Sequence, residues 1–514
     1  MHTGIQTPYP AGNDASGLNL SYTILPEQLK ERFNYTNYMI GKWHLGQKTK
    51  KYLPSSRGYD KFYGYYHGCS DYWKKYGDLQ DNNEAGLDLH LGGSAMFGFT
   101  PGEDEPLYNT SDEYSTSLYA KVASKWIEEH SSDSPFFMYF AFQGAHSGNN
   151  KFVQAPADLI SRFDESISSN TCGQWELPNG KSCDNPAMRK TVAATVVAID
   201  DAVATVESAL REKGILNNTL IIFSSDNGGP TDGTNNNMMS NFPLRGGKGS
   251  TWEGGIRVVG FANGFGLERV RGTVNSNLFH VSDWYHTIFE LASRGSGDTP
   301  SLKPNERPYL DGDGISQWQS LSGQGGGGGG GENGVKPPRN EIFVAAQADG
   351  SQLEASALIS GHMKILKFPI LLYNKPLWYP PPGLSWNYSN FTVKCGGPPP
   401  TSNETLTECM EDFCLFNISS DPCEYNNIAS KYPDVVESMK SRLETLRKTT
   451  VLTWVNYASY NNASDPRNFG PDTPIVPDSH PSGGPTEYQG IWSPWQDDAA
   501  DAKLYPTKYD GPGY

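Results

Sequence analysis

The sequence predicts an α/β fold followed by a smaller α+β domain, on three observations: amphipathic helical stretches that run into continuously apolar segments, a long glycine run, and a change of texture beyond it. Residues 112–130 read as a helix capped by Ser111 or Asp112, with Tyr114, Leu118, Val122 and Trp126 on one face. The apolar run 136–142 follows as a strand. The pattern recurs at residues 187–213, where Val192, Val196, Ile199, Val203, Val206 and Leu210 form one stripe and Gly214 supplies the stop before a strand at 219–224. A strand that is apolar at every position and follows a helix implies a mostly parallel sheet covered on both faces. Residues 1–320 are assigned to this domain. From about Leu321 the texture changes, and Gly325 to Gly331 cannot pack, so residues 321–338 are read as a loop or linker. Residues 339–460 form the α+β domain, with strands at 341–345, 356–360 and 363–367 and a helix at 429–446 packed on them. Residues 461–514, rich in proline and aromatic side chains, have no period and read as an extended tail.

The net charge of −16, without a block of Lys or Arg, argues against a nucleic-acid partner, because phosphate binding needs local positive charge. No apolar run reaches the roughly 18–20 residues that cross a bilayer. Met1 is followed by neither a basic flank nor an apolar segment, so the sequence shows no signal peptide. Sequons at Asn19, Asn34, Asn109, Asn217, Asn387, Asn390, Asn403, Asn417 and Asn462 nevertheless point to passage through the secretory pathway and to N-glycans. The seven cysteines lack zinc-site spacing, and disulfides are expected. Cys414 and Cys423 bracket a strand end and the Ser419-Ser420-Asp421-Pro422 turn, so they are expected to pair, with Cys172–Cys183 and Cys395–Cys409 as companions and Cys69 left over.

Three apolar runs end in a glycine and then in chemistry. Tyr38-Met39-Ile40 leads into Gly41-Lys42-Trp43-His44-Leu45-Gly46, Phe140-Ala141-Phe142 into Gln143-Gly144-Ala145-His146, and Ile221-Ile222-Phe223 into Ser224-Ser225-Asp226-Asn227-Gly228-Gly229. Ligands of an open parallel sheet bind outside the carboxyl ends of its strands, so these loops are predicted to converge on one crevice. A glycine-rich loop, Pro243-Leu244-Arg245-Gly246-Gly247-Lys248-Gly249-Ser250, adds a second lysine before a strand expected at 256–261. Lys42, Lys248, His44, His146, Asp226 and Asn227 in one pocket suit a doubly charged oxyanion bound with a hard metal ion. Taken singly, each has a plainer reading: Asp-Asn-Gly-Gly is ordinary turn chemistry, a lone histidine is often a core residue, and Lys248 could be a solvated loop lysine. Lys248 is not a Walker A lysine, since Phe242 and Gly249 stand where that motif needs Gly and Ser or Thr. Four independent loops with suitable residue types at predicted strand ends make coincidence a poor explanation.

These blocks resemble the sulfatase family. Tyr38 to Gly46 is similar to its second signature, and Ser225-Asp226-Asn227-Gly228-Gly229 with Pro243 to Arg257 to its later metal and lysine blocks. The likeness continues through His280-Val281-Ser282-Asp283-Trp284, Leu415-Phe416-Asn417-Ile418 with Asp421-Pro422, and Gly490-Ile491-Trp492-Ser493-Pro494-Trp495, which resembles the arylsulfatase B-like branch. The resemblance implies an alkaline-phosphatase-like α/β domain, a smaller C-terminal domain, and hydrolysis of sulfate esters, sulfated sugars such as glycosaminoglycans among them, at a calcium site. It implies Asp226 and Asn227 as calcium ligands and Lys42 and Lys248 as holders of the sulfate oxygens. By the same carry-over His146 assists the leaving alcohol and His44 takes the proton that lets the sulfated intermediate collapse. A secreted or lysosomal protein is expected.

One departure is central. The family nucleophile is a formylglycine made from Cys or Ser in a Cys/Ser-x-Pro-x-Arg motif, and no such motif occurs in the 514 residues. The nucleophile, its stabilising Arg and half of the calcium ligands belong upstream of the segment that His2 to Gln6 resembles. The sequence is therefore read as an N-terminally truncated sulfatase whose first core strand is missing. The alternative is a non-catalytic sulfatase-like protein that binds a sulfated ligand. A phosphatase on the same fold is disfavoured by the Lys-Trp-His and Lys248 pattern.

Overall fold

The computed structural model describes residues 17–18, 20–47, 49–78, 85–107, 113–148, 153–163, 186–231, 237–296, 314–323, 337–346, 356–367, 378, 393–397, 399–400, 404–447, 476–477 and 487–488. Cys172, Cys183, the Gly325–Gly331 run and nearly all of the tail lie outside them. The chain divides into two compact units, the first Pro8–Leu159, Thr195–Lys213 and Val455–Tyr514, the second Met1–Thr7, Ile160–Ala194 and Gly214–Trp454.

The first unit contains β1 (Thr36–Lys42), β2 (Lys61–Tyr65), β3 (Tyr76–Asp78), β4 (Ala85–Leu87), β5 (His90–Gly93), β6 (Glu105–Pro106) and β7 (Phe136–Ala141), with helices α1 (Leu25–Phe33) and α2 (Ser115–Glu129). Its main sheet has the order β6-β5-β2-β1-β7, parallel where β1 meets β2 and β7 and antiparallel from β2 through β5 to β6. Successive side chains of a strand point to opposite faces. Accordingly Tyr38 and Ile40 of β1 join Tyr63, Tyr65, Tyr119 and Trp126 in one core, while Met39 joins Phe62, Tyr59 and Tyr66 in another. β1 is thus buried on both faces, as its apolar run predicts. The equally apolar β7 is only half-buried, and Tyr139 is 50% exposed. α2 begins at Ser115 after an N-cap at Tyr114; Ser111 and Asp112, the expected caps, lie outside the described residues.

Two further helices, α3 (Ala157–Ile160) and α4 (Pro186–Glu212), precede the next strand. α4 matches the predicted helix, and of the expected stripe Leu210 is buried, Val192, Ile199, Val203 and Val206 are half-buried and Val196 is exposed, while Met188, Ala194, Thr195, Ala198, Ala202 and Ala209 are buried as well. Small side chains let a helix approach its neighbours closely, and a hydrophobicity pattern that weights valine over alanine does not single out the alanines that do so here.

In the second unit β8 (Leu220–Ser224) pairs antiparallel with β9 (Gly260–Gly264), with α5 (Glu253–Ile256) between them in sequence, and α6 (Asp283–Ser296) and α7 (Trp318–Ser322) follow. The strand expected at 256–261 is therefore displaced: Glu253, Gly254 and Gly255 are buried in a helical turn, and pairing starts only at Gly260. An antiparallel sheet of β10 (Glu341–Ala346), β11 (Ser356–Ser360), β12 (Met363–Lys367) and β13 (Cys414–Asn417) completes the unit with α8 (Glu404–Glu411) and α9 (Pro433–Arg447). Leu358, Ile365 and Leu415 face Met439 and Leu443 of α9, while Ala357, Leu366 and Phe416 pack with Trp252 on the other face. The predicted α/β class with a smaller C-terminal domain is found, the central sheet being mixed where a mostly parallel one was expected, flanked by helices, and the C-terminal sheet antiparallel.

The expected cysteine pairs Cys414–Cys423 and Cys395–Cys409 are both wrong. The bonds are Cys395–Cys423 and Cys409–Cys414, with Cα separations of 5.8 and 5.2 Å, and Cys69 remains a thiol. The cause is α8, which the sequence reading lacks: its last turn brings Cys409 beside the first residue of β13. Cys423, held from behind by Trp378 Nε1 donating to its carbonyl at 2.8 Å, is left for Cys395.

One buried charge cluster in the first unit carries a pH prediction. Asp88, fully buried, has Oδ2 2.6 Å from His67 Nδ1 and Oδ1 3.2 Å from His90 Nε2, and it accepts the Tyr66 and His67 amides. Burial pushes its carboxyl up, but His67 and His90 outweigh burial and hold it well below the usual range. A depressed folded pKa gives stability that is present above the unfolded value, near 3.9, and is lost as pH falls through the folded one. Urea denaturation is expected to show a stability decline below about pH 4 that is shallower in Asp88→Asn; parallel pH profiles would contradict it.

Candidate active site

In the first unit the predicted residues sit where parallel strands end. Lys42 is the last residue of β1, opposite Tyr65. The pairing continues as Trp43 and His44 donate to the Tyr65 and Tyr66 carbonyls at 2.9 Å each, so the backbone of the Gly-Lys-Trp-His segment is an extension of the ladder. Gly41 is required here: its φ is +96°, and a Cβ would lie 1.9 Å from Ala141 O of β7. His44, itself at φ 51°, lies half-buried with its ring over Gly68, where an added Cβ would be 2.9 Å from its Cε1.

His146 is carried by the loop that follows β7, the neighbour of β1. Its amide donates to Gln143 O at 3.0 Å, and its Nδ1 lies 3.0 Å from Ser147 O. A carbonyl can only accept, so Nδ1 carries the proton and Nε2 is the nitrogen that can exchange one. Two residues that sequence reasoning missed fix this loop. Tyr72 Oη donates to Gln143 O at 3.1 Å and His146 O at 2.7 Å, and Gln143 Nε2 donates to Ser70 O. Burial holds the Tyr72 hydroxyl well above its usual pKa, so it remains a donor. Gln143 lies inside the Gln-Gly-Ala-His segment that follows the apolar run without being named for a role, whereas Tyr72 belongs to no periodic pattern and no sequence signal marks it. Tyr72→Phe is expected to cost about 1–2 kcal/mol and to raise amide exchange at residues 143–147; unchanged exchange there would refute the role.

The other predicted residues form one loop cluster in the second unit. Beyond β8, Ser225 Oγ donates to Asn227 O at 2.9 Å and Asp226 Oδ1 accepts the Asn227 amide at 2.8 Å. Gly228 donates to Gly255 O at 2.9 Å, and a Cβ there would lie 1.7 Å from Gly254 O, so the Asp-Asn-Gly-Gly turn is pressed against α5. Asn241, absent from the sequence reading, clamps the turn to the lysine loop: its Oδ1 accepts Gly229 N, and its Nδ2 reaches Gly229 O and Gly246 O at 2.8 and 3.1 Å. The Lys248 amide donates to Gly229 O at 3.3 Å. The structure thus brings Lys42, His44 and His146 together on one sheet edge, and Asp226, Asn227 and Lys248 together in one cluster.

An exposed carboxylate and an amide oxygen, Asp226 and Asn227, fit a hard cation in kind. They fall short in number, since such ions take about 6–8 oxygens and no group of three His, Cys, Asp or Glu suited to a metal occurs among the described residues. Within those residues no helix is long and apolar enough to cross a membrane.

Residues 1–294 match the family model described as Sulfatase. The chain is 30% identical over 509 residues to arylsulfatase J of Mus musculus, covering 96% of this chain and 70% of that protein. It is 28% identical over 298 residues to N-acetylgalactosamine-6-sulfatase of Mus musculus, covering 58% of this chain and 48% of that one, about half of its length. Among solved structures, Ps i-CgsB in complex with k-i-k-neocarrahexaose superposes with a TM-score of 0.59 at 22% identity, covering 88% of this chain and 79% of that chain, a likeness of fold.

Proposed function

Because the chain belongs to the sulfatase family, whose members are sulfuric ester hydrolases, we propose that Lys42, His44, His146, Asp226, Asn227 and Lys248 act on one sulfate ester. The observation that carries the reading is the backbone pinning of both lysine-bearing segments, which sets cationic side chains at a strand end and on a clamped glycine loop. Lys42 and Lys248 bind the sulfate oxygens, where charge grows as the S–O bond breaks. Given the formylglycine nucleophile of the family, whose oxygen would bond to sulfur as the ester S–O bond breaks, His146, its Nδ1–H committed to Ser147 O, would deliver a proton from Nε2 to the departing alcohol oxygen, and His44 would take up the proton that lets the sulfated intermediate collapse. Sulfatases generally use a metal ion. Calcium is the ion that suits Asp226 and Asn227, where it would neutralise the sulfate; the roles of the lysines and histidines do not depend on it.

The substrates are sulfated sugars, glycosaminoglycans included, in line with relatives that act on N-acetylgalactosamine-6-sulfate and with a neighbour solved with a neocarrahexaose. The protein is a secreted or lysosomal glycoprotein, and Asn34 and Asn217 of the predicted sequons are exposed. The absence of a Cys/Ser-x-Pro-x-Arg motif from the 514 residues favours a second reading of this chain by itself, a binder of sulfated ligands that does not turn them over. Both readings require ester binding, and equilibrium titration tests it. Nitrocatechol sulfate is expected to bind the 514-residue chain more tightly than nitrophenyl phosphate, and Lys248→Ala to weaken the sulfate ester by about tenfold or more. Preference for the phosphate ester, or indifference to Lys248→Ala, would overturn the proposal.

A further inference from the structure

The loop cluster with Asp226, Asn227 and Lys248 hangs on α5. Gly228 donates to Gly255 O, Gly254 donates to Arg245 O at 2.6 Å, and Arg257 donates to Glu253 O at 2.7 Å. Both the Asp-Asn turn and the loop that begins at Arg245 are thereby tied to these four residues, which are too few to hold an orientation by themselves.

What holds α5 is charge from the C-terminal sheet. Lys364 Nζ, from β12, lies 2.9 Å from Glu253 Oε1 and 2.8 Å from Glu424 Oε1, and the Glu253 amide donates to Glu424 Oε2 at 2.8 Å. The three side chains are 0–3% exposed. Alongside, the Arg245 guanidinium stands 3.7 Å from the Trp252 ring centroid and 4.4 Å from that of Trp378, and donates to Glu424 O at 3.3 Å. Glu424 adopts a left-handed φ of 57°, a conformation uncommon outside glycine and Asn. Burial, with Glu253 nearby, raises the Glu424 carboxyl, against the pull of Lys364.

A buried ion group is a poor source of stability, because desolvating the charges offsets most of their attraction, and an apolar cluster of the same volume commonly does as well. Its geometry, however, is sharply specified: one ammonium between two carboxylates admits few arrangements. We propose that Lys364 is a positioning residue which, through Glu253, fixes α5 on the C-terminal sheet and so sets Lys248 relative to Asp226 and Asn227. The inference rests on the reading of those loops as the sulfate-binding ones. It gives the C-terminal domain a part in the site, since a shift of α5 would carry both loops with it, and small misplacements of such groups are costly in catalysis.

Hydrogen–deuterium exchange on the 514-residue chain tests it, with Lys364→Met and with the combined Glu253→Gln, Lys364→Met variant, which removes one buried charge of each sign, leaves Glu424 beside the buried Arg245, and is expected to fold if the single variant does not. In both, the amides of Gly228, Lys248 and Gly254 are expected to lose protection by roughly tenfold or more, while those of β11 and α9 keep theirs. The combined variant should melt near the parent temperature yet bind nitrocatechol sulfate about tenfold more weakly. Unchanged protection of the three amides in the combined variant would overturn the positioning role. A parent chain without ester affinity would count against the sulfate-binding reading instead, and the exchange data would still decide the positioning role.

Discussion

Residues 1–514, purified and treated with a formylglycine-generating enzyme, are expected to leave a chromogenic aryl sulfate intact while still binding it. In the proposed reading the chain supplies cations for the sulfate oxygens and imidazoles for proton transfer, but it contains no Cys/Ser-x-Pro-x-Arg motif from which the covalent nucleophile could be made. Water would have to attack sulfur directly. Removing the nucleophile from an enzyme that works through one costs factors on the order of 10⁴–10⁶ in rate, which places turnover below detection in a standard assay. Binding depends on other groups and should persist, so affinity and turnover separate. Robust hydrolysis by this chain, abolished by His146→Ala, would show that the mechanism does not need that nucleophile.

Gly41→Val is expected to be the most damaging single substitution at the site. The residue sits where β2, β1 and β7 lie side by side, paired with Gly64 on one flank and Ala141 on the other. A Cβ would overlap Ala141 O at 1.9 Å, and the φ of +96° is one that valine avoids. The obstructing atom is a backbone carbonyl of a paired strand, so no rotamer change relieves it. A cost of about 3–5 kcal/mol follows, or a melting temperature lower by roughly 10 °C. Ester affinity should fall as well, since Lys42 and His44 directly follow. Gly98→Ala is the control: Gly98 also has a positive φ, 83°, but nothing within 4 Å, so only the conformational cost of about 1–2 kcal/mol applies. Equal destabilisation by the two would refute the steric argument.

How much of this was legible in the sequence follows from what local pattern encodes. The strands at β1, β7 and β8, the helix α4 and the strands β10, β11 and β12 were found because apolar runs and helical periods are local properties. The glycine after Ile40 lies inside β1, one residue before its end at Lys42, and the register with Ala141 gives its reason. What covers a strand is not local: β7 is as apolar as β1, yet it is only half-buried. Residues 253–256 read as the approach to a strand, because what holds them as a turn, the packing of Trp252 on Ala357, Leu366 and Phe416 and the Lys364–Glu253 contact, comes from far along the chain. Disulfide pairing failed for the same reason, since overlooking α8 left Cys409 in the wrong place. At the proposed site, the candidate residues were named from their types and spacing, whereas Tyr72, Asn241 and Lys364 carry no such mark. They act by hydrogen bonds and ion pairs to distant backbone and side chains, and such partners leave no period behind.

The proposed function requires that Lys42 and Lys248, from two separate segments, bind one sulfate. Calorimetric titration of the 514-residue chain with inorganic sulfate tests it most directly, by stoichiometry together with the two single alanine variants. The account predicts one sulfate per chain, with affinity lowered about tenfold or more by Lys42→Ala and by Lys248→Ala alike. Two sites per chain, each lost to only one of the variants, or a single site indifferent to Lys42→Ala, would contradict it.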